Sequence, residues 1–250
     1  MGENNTVVKV DHVTVRFNKA SVKVDNLKEY AIRLLKRQLM FQEFLALQDV
    51  SLEVKKGEAW GIMGRNGSGK STLLKLISGV LSPYKGTVKV NGSIAPLIEL
   101  SAGLDGQLNA VENIFLNGAL LGHSKKFMQE RMDEIVEFAE LKDFLEIPIK
   151  NFSSGMRARL GFSIATTVRP QLLIVDEVLA VGDIAFRQKC EKRMQDMLDK
   201  GTTLLYVSHS TNSVKKLCNK ALWLNKGQEV MHGDVDTVCS AYMEALKAKE

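Results

Sequence analysis

The stretch Gly64-Arg65-Asn66-Gly67-Ser68-Gly69-Lys70-Ser71, followed by Thr72, decides the fold. It matches the pattern GxxxxGK[ST], in which glycines let backbone N–H groups wrap phosphate oxygens, the lysine reaches the terminal phosphates and the next hydroxyl ligates Mg2+. Taken alone, such a run also reads as a glycine-rich turn. Its surroundings decide: Ala59–Met63 (AWGIM) is a strand immediately before it, and Lys70–Ser78 (KSTLLKLIS) has helical composition and stops at Gly79, with Pro83 soon after. Strand, glycine loop and helix open a P-loop unit, with the positive helix end toward the phosphates. Gly64, Asn66, Gly67, Ser68, Gly69, Lys70, Ser71 and Thr72 are thus candidate triphosphate-binding residues, and Ser71 is the candidate metal ligand.

Farther along, Leu172-Leu173-Ile174-Val175-Asp176-Glu177 is an apolar strand ending in two acids. In an open α/β sheet ligands sit at the strands' C-terminal edge, where both carboxylates then lie. Asp176 is placed on the Mg2+ side, and Glu177 is placed to orient or deprotonate the water that attacks the γ-phosphate. A single acid here would read as a solvated strand end; a pair downstream of a P-loop reads as catalytic.

The rest of the chain supplies an α/β frame. Val7–Phe17 and Val50–Val54 read as strands that open a sheet with Ala59–Met63, the last two split by the turn Lys55-Lys56-Gly57. Asn109–Leu121, Lys125–Leu141 and Gly155–Val168 read as helices, so a helical block of about residues 104–168 is inserted in the α/β core. Leu172–Val175 and Thr203–Val207 are continuous apolar runs of a buried parallel sheet. Ala221–Asn225 and Glu229–His232 read as an antiparallel pair, and Val235–Ala248 as a closing helix.

Composition narrows the classes. With 250 residues, 45% hydrophobic and 25% charged, the chain has enough apolar content for one large α/β domain. No run approaches the length of a membrane-spanning helix, and the start MGENNTVVKV lacks a secretory leader pattern, so a cytosolic location is expected unless a partner holds the protein at a membrane. Cys190, Cys218 and Cys239 are widely spaced without a CxxC pair and read as buried small hydrophobes. The four histidines lack metal-ligand spacing. The net charge of +5 is concentrated: Lys19, Lys23, Lys28, Arg33, Lys36 and Arg37 face only Asp25 and Glu29.

Phe152-Ser153-Ser154-Gly155-Met156 lies ahead of a helix, between the P-loop and the acidic strand. In that order the chain resembles the ABC-transporter ATPase family, whose LSGGQ signature occupies this place. The resemblance implies an ABC ATPase core of mixed sheet, antiparallel β elements and an inserted α-helical subdomain. It also implies a homodimer in which the signature of one subunit closes over ATP held by the P-loop of the other. Here Ser154 replaces the first Gly and Met156 the Gln, while Ser153 and Gly155, which face the γ-phosphate in the family, remain. Isolated, the same residues read as an ordinary helix cap. Ala180-Val181-Gly182-Asp183 resembles the D-loop, and Ser208-His209 the switch histidine that senses the γ-phosphate and holds the attacking water with Glu177. Glu99, in Ala95-Pro96-Leu97-Ile98-Glu99-Leu100, stands where the family has a glutamine that senses Mg2+ and the permease. Phe17, at the end of the first strand, matches the aromatic that stacks on adenine.

The segment Asn26–Phe44 places Leu27, Tyr30, Ala31, Leu34 and Leu35 on one helical face and Lys28, Glu29, Arg33, Lys36 and Arg37 on the other, within an insert of about residues 18–46. Two readings stand: a helix packed on the sheet with a solvated charged face, or a helix at the membrane boundary meeting anionic head groups or a pyrophosphate. The insert, Glu99–Leu104, Gly106 to Gly118 and the signature together resemble the ATPase subunits of bacterial exporters for O-antigen, teichoic acid and related polysaccharides. That resemblance spans essentially the whole chain. It implies ATP and Mg2+ as cofactors, a membrane permease partner, a lipid-linked glycan near the basic insert, and a peripheral place on the cytoplasmic face of the membrane. An ABC ATPase for another cargo, such as a drug or peptide, is the second reading. A soluble ABC protein acting on nucleic acid or ribosomes is the third and is disfavoured, because the chain has neither tandem cassettes nor a long coiled coil.

Overall fold

The computed structural model describes residues 5–20, 41–97, 103–176 and 183–248. Its first sheet is antiparallel: β1 (Thr6–Ala20) lies between β2 (Phe41–Lys55) and β4 (Lys85–Val90). Alternate valines turn one face of β1 inward, Val8 and Val10, then Val13 and Val15. The step of three between Val10 and Val13 is a bulge at His12, whose φ of 49° faces Asp49 at φ 53° across the ladder. Gly86 on β4 passes so close that a Cβ there would lie 2.4 Å from the carbonyl oxygens of Asp11 and His12.

Two expectations are corrected here. Phe41–Phe44, read as the end of the basic helix, are strand: they continue β2 opposite Phe17–Ala20. Their spacing suits a helix, but pairing with β1 satisfies their backbone, and tertiary pairing overrides local preference. The remainder of the basic segment, including Lys23, Lys28, Arg33, Lys36 and Arg37, lies outside the described residues. The strand β3 (Ala59–Met63) does not join β1 and β2 in one sheet. Buried at all five positions, it sits between β7 (Thr203–Val207) and β8 (Lys220–Asn225), both parallel to it. A strand apolar on both faces belongs in the middle of a parallel sheet.

That second sheet has the order β5 (Ile94–Leu97), β6 (Leu172–Val175), β7, β3, β8 and β9 (Gln228–Asp234), parallel except for the β8–β9 hairpin. The helices are α1 (Lys70–Ile77), α2 (Ala110–Leu120), α3 (Lys125–Ala139), α4 (Ser154–Thr167), α5 (Ile184–Asp199), α6 (Thr211–Leu217) and α7 (Val235–Lys247). The valines of the antiparallel sheet, with α1, cover one face of the parallel sheet and bury Leu47, Ile62, Leu73 and Leu205. The other face buries Met63, Leu173, Phe186, Val214 and Tyr242, and all three cysteines are buried.

Helices α2–α4 have a core of their own, with Ile114, Met128, Ile135, Leu141, Phe152 and Leu160. The start of α2 is fixed by a capping box: Asn109 accepts from the Glu112 N–H at 2.9 Å, and Glu112 accepts from the Asn109 N–H at 2.8 Å. Among the described residues, no helix is long and apolar enough to cross a membrane.

Candidate functional site

The ends of β6, β7 and β3, three neighbours in one parallel sheet, place Asp176, His209 and the loop 64–69 along a single edge. They open into a cavity of about 410 Å3 lined by Phe44, Ala46, Asn66–Thr72, Asp176, Val207 and His209. That volume is in the range of small-molecule sites.

The loop is built to leave backbone donors free. Gly69 sits at φ 106° as the N-cap of α1 and offers no side-chain cap, so the first N–H groups of the helix have no side-chain acceptor at that position. An anion placed there meets those N–H groups and the positive helix end. A Cβ on Gly64 would fall 2.3 Å from the Leu224 carbonyl oxygen, so this glycine is required by crowding. Gly67 has φ 77° and nothing within 4 Å of an added Cβ, so its requirement is conformational and its outer side is open.

Lys70 is buried and its Nζ donates to the carbonyls of Gly64 at 2.7 Å and Arg65 at 3.1 Å. The ammonium is thereby folded back across its own loop, within reach of whatever the loop encloses. The Ser68 hydroxyl is fully buried and has no hydrogen-bond partner. A buried hydroxyl left so is costly unless a ligand completes it. Uncapped N–H groups, an enclosed ammonium and an orphaned hydroxyl fit a polyphosphate. Ser71 and Asp176 line the same cavity and supply the hard oxygen donors that suit Mg2+.

The cavity thus gathers Asn66, Gly67, Ser68, Gly69, Lys70, Ser71, Thr72, Asp176 and His209. Phe17 is not among its lining residues. Phe17 and Phe44 are directly paired across β1 and β2, and it is Phe44 that faces the loop. Reading Phe44 as the end of a helix hid it. The alternation Phe44, Ala46, with both residues on the cavity, is the signal that would have found it.

Ser153 caps α4, accepting from the Met156 N–H at 3.1 Å, with Ser154 and Gly155 in the first turn. None of the three lines the cavity of its own chain. Asp183 caps α5, accepting from the Phe186 N–H at 2.8 Å, and its second oxygen pairs with Arg159. The Phe186 N–H and the Arg159 guanidinium hold its carboxyl below the usual carboxylate range. Glu99, Glu177 and Ala180–Gly182 lie outside the described residues. The strand β5 nevertheless ends at Leu97, paired with Val175 next to Asp176.

Comparison with known proteins agrees with this geometry. The profile of the family described as ABC transporter matches residues 47–180. The O-antigen export system ATP-binding protein of Klebsiella pneumoniae is 45% identical over 86% of this chain and 86% of its own length. The teichoic acids export ATP-binding protein of Staphylococcus saprophyticus is 38% identical over 97% of this chain and 90% of its own. The corresponding teichoic acids protein of Bacillus cereus is 44% identical over 97% of this chain, which spans only 43% of that longer relative. In fold, an ATP-binding cassette solved as a dimer in a post-hydrolysis state with ADP and Pi superposes with a TM-score of 0.73, at 22% identity, over 91% of this chain and 98% of its own.

Proposed function

This chain belongs to the ABC transporter family as an ATP-binding domain, and from that premise we propose that it hydrolyses ATP to drive export of a lipid-linked polysaccharide through a membrane permease. The observation that carries the ATPase reading is the convergence of the loop 64–69, Asp176 and His209 on one cavity. The cargo reading is supported by similarity to relatives named for O-antigen export and for teichoic acid export.

In this reading the loop N–H groups and Lys70 hold the β- and γ-phosphates, and Phe44 packs on the adenine. Ser71 and Asp176 hold Mg2+, which neutralises charge on the phosphate oxygens when bound. Glu177 takes up or orients the proton of the attacking water, and His209 holds that water and the γ-phosphate in line. Glu99 approaches the metal through water from the end of β5. Ser153–Gly155 lie off their own cavity, so a second copy supplies that turn, and Asp183 stands at the same interface. Two copies enclose two ATP molecules head to tail, and hydrolysis lets them part.

A groove of about 560 Å3 between α1, β5 and helices α2 and α4 is lined by Ala95, Pro96, Leu97, Leu121 and Ile164. Val80 and Leu120 on its rim are each 69% exposed. An exposed apolar groove between core and helical subdomain suits a permease segment that senses their relative motion, on the cytoplasmic face of the membrane. The basic insert is placed by the permease entrance, near the lipid-linked glycan.

The test is twofold. Purified protein should hydrolyse ATP, Lys70→Ala should abolish it, and Glu177→Gln should trap a nucleotide-bound dimer. Depleting the protein in its host should remove surface glycan. Unchanged turnover in Lys70→Ala would refute the phosphate cradle, and intact surface glycan would refute the cargo.

A further inference from the structure

Arg159 stands where the helical subdomain meets the core. Its Nη1 pairs with Glu140, the residue that ends α3 in the left-handed region, and its Nη2 pairs with Asp183 at the start of α5. The guanidinium also lies over the Phe186 ring, 4.7 Å from its centroid, with its side chain only 18% exposed. A planar fork gripping two carboxylates and stacked on an aromatic fixes direction as well as distance, which a lysine cannot do.

The neighbouring contacts complete a junction. Lys189 donates to the Phe138 carbonyl at 3.0 Å and to Glu140 at 3.1 Å. Arg193 donates to Glu134 at 2.7 Å. Beneath them the rings of Phe138, Phe162 and Phe186 pack on one another. Packing of those rings, rather than the half-exposed carboxylates, carries the stability of the junction, since pairs at this exposure contribute little.

What sets Arg159 apart is where its partners lead. It lies on α4, the helix capped by Ser153, and Asp183 closes the stretch of chain that begins at Asp176 and contains Glu177. We propose that Arg159 is a positioning residue for ATP hydrolysis: by holding Asp183 it sets the far end of the Asp176–Asp183 stretch against the helix that carries the serine-glycine turn. This rests on the ATPase reading above. The turn that serves the neighbouring copy's nucleotide and the stretch that serves the chain's own nucleotide then move as one body.

The test measures kcat, KM for ATP and Tm for the full chain and for Arg159→Met, Arg159→Lys, Asp183→Asn and Arg193→Met. Arg159→Met should lower kcat about tenfold, a step of about 1.4 kcal/mol in activation free energy, with KM within about twofold. Asp183→Asn keeps an oxygen for the Phe186 N–H and should reproduce that loss, with the double variant no slower than either single one. Arg193→Met, in the same junction but without a link to Asp183, should keep kcat while lowering Tm as much as Arg159→Met does. Arg159→Lys, which retains charge and one partner, should recover part of the rate and guards against a misfolded methionine variant.

The positioning role is overturned if Arg159→Met turns over like the parent chain, if Arg193→Met loses as much rate, or if the losses at positions 159 and 183 multiply. The parent chain measured alongside separates the two levels. Absence of turnover there overturns the ATPase reading and this assignment together, whereas parental turnover with an unchanged Arg159→Met rate overturns the assignment alone.

Discussion

Phe44 of β2 stands directly opposite Phe17 of β1, and only Phe44 lines the cavity formed by the glycine-rich loop. Both rings are solvent-facing, at 55% and 42% exposure, so neither is held there by the core. An exposed aromatic beside a phosphate loop is free to stack on a base.

Phe44→Ala should therefore weaken ATP binding by about tenfold, the scale of one aromatic–base stack. Phe17→Ala should change it by less than about twofold. Titration with a fluorescent ATP analogue reads both, and a larger loss at Phe17 would reverse the assignment.

His209 follows β7 directly, flanked by the buried Ser208, whose hydroxyl accepts from the Ser210 N–H at 3.1 Å. With its neighbours held, the imidazole is presented to the cavity at a fixed place. His209→Ala should lower kcat by about 100-fold, within the usual range for loss of one positioned proton-handling group, while ATP binding persists. Single-turnover measurement separates these effects. Equal loss of binding and rate would assign His209 to ground-state contact instead.

His12 and Asp49 pair at 2.8 Å across the β1–β2 bulge. The hydrogen bond to Asp49 and its charge, with Asp11 adding a smaller push, raise the imidazole above its ordinary 6.5. A histidine whose folded value is raised favours the folded state fully below about pH 6.5, and that contribution fades as pH rises through the folded value. An NMR titration should show His12 titrating above 6.5, and Asp49→Asn should bring it down. A shift of opposite sign would remove the pair as a stabiliser of the bulge.

Burial pushes the thiols of Cys190 and Cys218 up to about 12, and raises that of Cys239 as well. A protonated, enclosed thiol is a poor nucleophile. Ellman's reagent should label the folded chain slowly and take up three equivalents on unfolding, matching its three cysteines. A fast first equivalent under native conditions would contradict their burial.

The order of the motifs was legible without coordinates because each requires only local chemistry. A phosphate loop needs glycines and a lysine at fixed spacing, a catalytic carboxylate needs a buried strand to end beside it, and a helix needs a cap such as Ser153 or Asp183. The strands β3, β6 and β7 were read correctly because continuous apolar runs have one stable home, the middle of a parallel sheet. The boundary of β2 was not, because Phe41–Phe44 carry helical spacing and only β1, distant in sequence, makes them strand.

By itself, then, the sequence determined that this chain holds a phosphate cradle, an acidic strand end and a serine-glycine turn in the order of an ABC ATPase. Tertiary structure alone decided that Phe44 rather than Phe17 meets the cavity, that Ser153–Gly155 lie away from the cavity of their own chain, and that Arg159 joins Asp183 to the helical subdomain. The division has a physical cause. Loop chemistry is written in contiguous residues, whereas the face a side chain presents and the partner it reaches depend on strand register and on helices packed together from far apart in the chain.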